Sequence, residues 1–237
     1  MDKSKNIFII AASIIVAGII IGAAVLYTAK DNTASLKESL PLPPSEETET
    51  PSLIEVDTVG HPFIGEEGAP IVIIDVGDYQ CPFSKSFSLE TLPEIKKKYV
   101  DEGKVKVVFR DFPLPYHPNA QKAAEAALCI NDQDLNFYDY HIKLYENTDA
   151  LDVESLKDYA EELEADMEEF NSCLDEGKFE QTVSSDFEDI NNIIQSSNLD
   201  NFGTPAFFIN GEPLIGARPF SEFQKIIESK LEKEIKE

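Results

Sequence analysis

Positive charge is scarce in this chain. Its 237 residues include 20 Lys and Arg against 45 Asp and Glu, which gives a formal net charge of −25. Binding to phosphates needs a basic face, so this deficit argues against nucleic acid as a partner. The composition predicts a strongly acidic, solvated surface, and an acidic groove that faces a substrate is the alternative.

Charge of either sign is missing from one long stretch. Residues Ile7 to Tyr27 contain no charged side chain, and as a helix they would span ~30 Å, about the thickness of a bilayer core. Two lysines precede the stretch, so the positive-inside rule places residues 1–6 in the cytoplasm. We expect a single-pass anchor in the cell membrane over residues 7–29, with the rest of the chain outside the cytoplasm. A cleaved signal peptide is the alternative, although its apolar region is usually shorter.

Aromatic residues and apolar periodicity are absent from residues 30–52. This segment holds four prolines among Ser, Thr and Glu. Such a composition is typical of an extended, disordered tether. The sequence therefore predicts a linker between the anchor and one folded domain over residues 53–237.

Cysteine is scarce as well, and its count is odd. The chain has three: Cys81, Cys129 and Cys173. Disulfides persist outside the cell, whereas the cytosol keeps most thiols reduced. An odd count outside the cell leaves one thiol unpaired, and that thiol requires an explanation.

The segment Cys81-Pro82-Phe83-Ser84 lacks the second cysteine of a C-x-x-C redox motif. It follows an apolar run and opens a helical one. A thiol at that junction meets free backbone N–H groups at the positive end of the helix dipole. This setting stabilises thiolate, which is the species that attacks disulfides. The pattern indicates a nucleophile without a neighbouring partner sulfur.

The order of elements predicts a mixed α/β fold. Residues 71–76 form a β-branched run typical of a buried strand, a helix that Pro93 should interrupt follows, and residues 104–109 form a second strand. A strand, a helix and a strand in this order suggest a parallel pair. Residues 118–198 are mostly helical, and two strands around Asn210-Gly211 precede a last helix. We expect a small mixed sheet with a helical insertion in its middle.

Several motifs, in this order, resemble those of DsbA-like thioredoxin-fold proteins. Along the chain they are Gly77-Asp78-Tyr79-Gln80-Cys81-Pro82-Phe83-Ser84, Phe109-Arg110-Asp111-Phe112-Pro113-Leu114, His117-Pro118-Asn119-Ala120 and Gly203-Thr204-Pro205-Ala206-Phe207-Phe208-Ile209-Asn210-Gly211. Together they span nearly all of residues 60–230. The resemblance implies a thioredoxin fold with a helical insert over about residues 117–200, and thiol–disulfide chemistry on exported proteins.

The resemblance also implies roles for single residues. Cys81 matches the family's attacking cysteine, and Pro205 matches its cis-proline, which would let Thr204 offer main-chain groups to an extended substrate. Asp75 matches a position where the family often has an acid that assists proton movement. The alternatives are an ordinary trans turn at Pro205 and a strand-end carboxylate without a role at Asp75. The expected substrate-binding residues are Pro82, Phe83, Thr204 and Pro205.

Ser84 departs from the family pattern. In a dithiol site the second cysteine resolves the mixed disulfide, and a serine hydroxyl cannot form that bond. The chain alone would therefore make a mixed disulfide that an outside thiol must resolve, which suits monothiol reduction, isomerisation or exchange. We also expect Ser84, one helical turn after Cys81, to donate a hydrogen bond to the thiolate.

The resemblance favours a structural disulfide between Cys129 and Cys173, because related proteins often pair cysteines at similar places in the insert. It would close a loop of about 45 residues and stabilise the fold by roughly 4 kcal/mol. Two buried free thiols, or one of them as the resolving thiol for Cys81, are the alternatives. The three histidines show no metal-ligand spacing with the cysteines, and we expect neither metal nor cofactor. These histidines are His61, His117 and His141.

Two functions remain open on the sequence. The first is a membrane-anchored, extracytoplasmic thiol–disulfide oxidoreductase that uses Cys81 alone. Its partners would be exported protein thiols or disulfides and an external resolving thiol or redox partner. The second is a non-catalytic binding or chaperone-like module that keeps the fold and the groove at the expected cis-proline. The reactivity of Cys81 with a thiol reagent separates the two.

Overall fold

The computed structural model describes residues 53–199 and 201–234. The predicted cytoplasmic N-terminus (1–6), anchor (7–29) and linker (30–52) lie outside these described residues. Within the two described ranges, no helix is both long and apolar enough to cross a membrane.

A five-stranded mixed sheet forms the centre of the domain. Its strands are β1 (Phe63–Ile64), β2 (Ile71–Gly77), β3 (Val105–Asp111), β4 (Ala206–Ile209) and β5 (Glu212–Ile215). They lie side by side in the order β1-β3-β2-β4-β5. Strands β2 and β3 form the predicted parallel pair, with Ile71 opposite Val105. Strand β4 lies antiparallel on the other side of β2, with Val76 opposite Ala206.

The described helices follow the predicted order. They are α1 (Pro82–Ser86), α2 (Leu92–Ile95), α3 (Ala120–Asp132), α4 (Phe137–Glu146), α5 (Val153–Glu162), α6 (Met167–Asp175), α7 (Glu180–Ser196) and α8 (Phe220–Glu234). Helices α3 to α7 lie between β3 and β4 in the chain and form the helical insertion. With the β2–β3 unit before it and the β4–β5 hairpin and α8 after it, the domain is a thioredoxin fold.

Two π-helical segments, Phe87–Thr91 and Lys96–Val100, continue α1 and α2. Ahead of Pro93, the Leu92 N–H bonds to the Phe87 carbonyl five residues back. Proline cannot donate to the helical ladder, and a π turn is a common way to absorb such a defect. The predicted interruption at Pro93 therefore takes the form of a widened turn rather than a break.

The sheet separates two apolar clusters. In β2, Ile71 and Ile73 face the cluster that includes Phe87, just after α1, and residues of the insert helices, whereas Ile74 and Val76 face the cluster beneath α7. Side chains alternate along a strand, so Asp75 shares the face of Ile71 and Ile73. A carboxyl group is thereby inserted into an apolar face, close to where the nucleophile helix begins.

A disulfide joins α3 to α6. The structure bonds Cys129 to Cys173, with their Cα atoms 6.0 Å apart, and both residues are buried. Because the chain has three cysteines, Cys81 is the one outside a disulfide.

The turn at Asn210-Gly211 ties the β4–β5 hairpin to β2. Both residues have positive φ, 44° and 80°, as a two-residue hairpin turn of this kind requires. The Asn210 side chain accepts a hydrogen bond from Val72 N at 2.6 Å and donates one to the Pro70 carbonyl at 3.1 Å. The sequence predicted this hairpin. It did not predict β1, which is two residues long and pairs antiparallel with β3.

Candidate active site

Cys81 lies where the chain leaves β2 and enters α1. Pro82 occupies the first helical turn, where no N–H is needed, and Lys85 N closes that turn on the Cys81 carbonyl at 3.0 Å. The thiol is thereby placed at the amino end of the helix, where backbone N–H groups favour negative charge. Cys81 is 5% exposed, while Pro82 and Phe83 beside it are exposed.

The segment before β4 lies against the thiol. The Thr204–Pro205 peptide bond is cis, and Cys81 Sγ donates a hydrogen bond to the Thr204 carbonyl oxygen at 3.3 Å. The sheet register explains this proximity, because β4 pairs with β2 and the residues preceding one therefore lie beside those following the other. The Thr204 hydroxyl is buried without a hydrogen-bond partner. The structure thus brings Cys81, Thr204 and Pro205 together.

Ser84 does not make the predicted hydrogen bond to Cys81. Its side chain is buried, and its hydroxyl accepts from Asp78 N at 3.4 Å. The Ser84 hydroxyl is therefore engaged by the main chain of the preceding turn, whereas the Cys81 thiol is directed towards Thr204. The expectation that Ser84 bonds the nucleophile is therefore corrected for this state of the thiol.

Asp75 is a buried acid near the end of β2, two residues before Gly77. It is 3% exposed, and its Oδ1 has no hydrogen-bond partner. Burial raises the pKa of Asp75 from 3.8 to about 8, because an apolar environment disfavours the carboxylate. Burial, followed by the charge of Asp75, likewise raises the pKa of the Tyr145 phenol well above its ordinary value. Asp75 is therefore a neutral acid at neutral pH, able to give up a proton near pH 8.

The Tyr145 phenol approaches the end of β2 closely. Its oxygen lies 2.9 Å from where a Cβ on Gly77 would stand. Any side chain at position 77 would collide with Tyr145, which explains why glycine ends β2 at the edge of the site.

Asp78 organises the nucleophile turn, and the sequence did not single it out. Its buried Oδ1 accepts from Gln80 N at 2.7 Å and from Cys81 N at 3.1 Å. Its Oδ2 accepts from Leu114 N at 2.7 Å and from His117 Nδ1 at 2.8 Å. One carboxylate thus holds the turn before the cysteine and the segment after β3. The signal available in the sequence was an Asp three residues before Cys81, the spacing of a capping side chain.

His117 is the second residue whose place the sequence left open. Its position in the sequence fits a loop near the active site, although a polar residue of this kind is expected more often on the surface. The structure puts it beside Asp78, with 18% of its side chain exposed. The rings of Tyr116 and His117 contact each other edge to face, with centroids 4.6 Å apart. His117 therefore links an exposed aromatic side chain to the turn that carries the nucleophile.

Arg110 belongs to the other face of the sheet. Its guanidinium contacts buried Asp186 of α7 at 3.1 Å and donates to the Asp57 carbonyl at 2.7 Å. His61 lies 3.5 Å from the same Asp186 carboxylate. Burial raises the pKa of Asp186, although Arg110 opposes this, and burial lowers the pKa of His61. This cluster joins β3, α7 and the start of the domain, away from the thiol.

The chemistry of the site centres on one sulfur. Within residues 53–199 and 201–234, no three His, Cys, Asp or Glu side chains lie close enough to hold a metal ion. A thiol at a helix start, a main-chain carbonyl beside it and a neutral acid in the preceding strand can support nucleophilic attack on sulfur together with proton movement.

Known proteins match this chain over most of the domain. The thioredoxin family model matches residues 57–229. Disulfide bond formation protein D of Bacillus subtilis is 29% identical over 180 residues, which cover 73% of this chain and 78% of that protein. A putative protein-disulfide oxidoreductase of Rickettsia felis is 26% identical, covering 77% and 66% of the two chains.

A solved structure matches the same region. The crystal structure of oxidised BdbD from Bacillus subtilis superposes with a TM-score of 0.65 and 26% identity, covering 76% of this chain and 97% of that one. The described fold agrees with these matches. The chain belongs to the thioredoxin family, among its DsbA-like thiol–disulfide oxidoreductases.

Proposed function

We propose that this protein is a monothiol member of its family, which exchanges disulfides through Cys81 alone. The observation that carries the proposal is the bonding state of the three cysteine sulfurs. Cys129 and Cys173 are bonded to each other, and position 84 holds a serine directed into the domain. Cys81 is left as the single free thiol, at the start of the nucleophile helix.

The proposed reaction has two exchanges. The Cys81 thiolate attacks one sulfur of a disulfide, a new bond joins Cys81 to that sulfur, and the other sulfur leaves as a thiolate that takes up a proton. An external thiolate then attacks the substrate sulfur of the mixed disulfide, and Cys81 leaves as a thiolate. Because Ser84 offers no sulfur, the second exchange requires a thiol from outside the chain.

Asp75 and Thr204 have supporting roles in this proposal. Asp75 is neutral below about pH 8 and unpartnered at Oδ1. In this proposal it exchanges a proton with the departing or returning thiolate. Thr204 accepts from the Cys81 thiol in the resting state. Its main chain would pair with an extended substrate beside Pro205 once Cys81 has reacted.

We further propose that residues 7–29 anchor the chain in the cell membrane, with the domain outside the cytoplasm and exported proteins as substrates. The uncharged apolar stretch and the lysines before it support the anchor. A disulfide within the domain supports an oxidising location. The name of the Bacillus subtilis relative, a disulfide bond formation protein, supports protein substrates.

One observation favours a second function, a binding module without turnover. Cys81 is 5% exposed and its thiol already donates to a carbonyl. A thiol that stayed in this hydrogen bond would be sheltered, and the main chain beside Pro205 could still pair with extended chains. The two functions differ in whether Cys81 forms covalent adducts.

Trapping from intact cells tests the proposal. Free thiols are blocked with a membrane-permeant reagent, the full chain is isolated, and proteins released by reduction are identified. We expect exported proteins that are absent when the same procedure is applied to Cys81→Ala. Recovery of the same proteins from both would favour the binding module.

A further inference from the structure

The segment after β3, residues 112–119, is fixed to the nucleophile turn. We refer to it as the proline-rich loop. Three hydrogen bonds join the two: Phe112 N to the Gly77 carbonyl (2.8 Å), Leu114 N to the Asp78 carboxylate (2.7 Å) and Asn119 N to the Gln80 side chain (2.6 Å). The loop and the turn therefore form one hydrogen-bonded unit, although more than thirty residues separate them in the chain.

Asp78 connects the nucleophile to the tip of this loop. One carboxylate oxygen accepts from Cys81 N at 3.1 Å, and the other accepts from His117 Nδ1 at 2.8 Å. Asp78 is buried, and hydrogen bonds to a buried carboxylate are among the stronger contacts that a side chain makes. His117 is consequently held at a fixed place relative to Cys81.

Tyr116 is held out into solvent by this arrangement. Its side chain is 73% exposed, and its ring contacts His117 edge to face at 4.6 Å. Such aromatic pairs contribute about 0.5–1.5 kcal/mol, enough to bias the position of an exposed ring. Phe83, two residues after Cys81 in the chain, is also exposed, at 64%.

We propose that the proline-rich loop is a wall of the substrate site, and that Tyr116 is a specificity-determining residue for side chains next to the substrate cysteine. The occupant is an extended segment of the polypeptide in mixed disulfide with Cys81, and the preferred neighbour of its cysteine is aromatic. Tyrosine supplies a large contact area at a low entropic cost, which suits it to this task. Asp78 and His117 are positioning residues: Asp78 holds His117, and His117 contacts the Tyr116 ring and fixes its place. The inference rests on the proposed function of Cys81.

Peptides activated at their cysteine test this assignment on the full chain. Each peptide carries a disulfide to thionitrobenzoate, and the Cys81 thiolate attacks the peptide sulfur. A Cys81–peptide disulfide forms, and the coloured thionitrobenzoate anion leaves and is measured. Two peptides are compared, with tyrosine or with glycine beside the cysteine, and the quantity measured is the ratio of their rates.

We expect Tyr116→Ala to lower the tyrosine-to-glycine ratio about two- to tenfold, the range of one aromatic pair, and Tyr116→Phe to keep it. His117→Ala should lower the ratio as well. The double variant should lose no more than Tyr116→Ala alone, since both act through the same ring. Phe63→Ala, which removes another exposed aromatic residue, on β1, is the matched control and should leave the ratio unchanged.

The outcomes separate this inference from the proposed function. If Cys81 fails to react with either peptide, the proposed function is wrong. If Cys81 reacts but the ratio is unaffected in Tyr116→Ala, the proline-rich loop is not a wall of the substrate site, and the proposed function stands. If Tyr116→Ala slows both peptides equally, the ratio again stays constant, and Tyr116 has a structural role only.

Discussion

Replacing Asp75 with Asn should stabilise the domain, and the gain should grow with pH. The folded-state pKa of Asp75 is about 8 against an ordinary value of 3.8. The native state therefore keeps its proton where the unfolded chain has lost it. Since the folded-state pKa is the raised one, the stability contributed by protonated Asp75 is fully present below about pH 4. That contribution is lost as the pH rises towards about 8.

The magnitude follows from the difference between the two values. Each pKa unit corresponds to about 1.4 kcal/mol, so the buried acid costs ~4 kcal/mol at about pH 7 and little at about pH 4. Asn has nearly the same size and never ionises. The difference in unfolding free energy between Asp75→Asn and wild type should therefore rise by about 1.4 kcal/mol per pH unit across this window.

Urea unfolding of the oxidised full chain, repeated across this pH window, measures the difference. Asp158→Asn serves as the control, because it removes one exposed carboxylate from α5. A gain at Asp75 that stays constant with pH would refute the reasoning, since it would mean that Asp75 is ionised in the folded state. A gain that is equal at both positions would show only relief of net charge.

Three further predictions concern the remaining polar and sulfur groups. Ser84→Cys should allow a second disulfide to form within the chain, seen as a loss of two hydrogen masses when the protein is oxidised. Burial lowers the pKa of His141 to about 3, so the stability contributed by its neutral ring should be lost as the pH falls from about 6.5 towards 3, and urea unfolding should show His141→Gln gaining relative to wild type over that window. The double variant Cys129→Ala/Cys173→Ala should lose roughly 4 kcal/mol of unfolding free energy, measured as a transition at lower urea concentration, and should keep the reactivity of Cys81.

The fold could be predicted because several local patterns agreed with one another. The β-branched run of β2, the proline after Cys81 and Asn210-Gly211 each specify local structure through backbone preferences that do not depend on distant residues. Their order along the chain then left few topologies for the sheet. Strand β1 was missed because a pair of residues carries no periodicity, and it exists only through its partner β3.

The nucleophile could be predicted, but its hydrogen bonds could not. Cys81 is marked by its place between a strand and a helix. The Cys81 thiol bonds to the Thr204 carbonyl, 123 residues later in the chain, and the Ser84 hydroxyl bonds to Asp78 N instead of the thiol. Asp78 itself gathers donors from two segments of the chain. Such contacts arise from tertiary packing, which spacing within a motif does not encode.

The lifetime of a mixed disulfide at Cys81 tests the central claim most directly. The full chain is converted to a mixed disulfide with a small thiol, the excess is removed, and intact mass is followed over time. We predict one adduct at Cys81 that persists until an external thiol is added and then disappears. Absence of any adduct, or its spontaneous replacement by a new disulfide within the chain, would contradict a site that works through Cys81 alone.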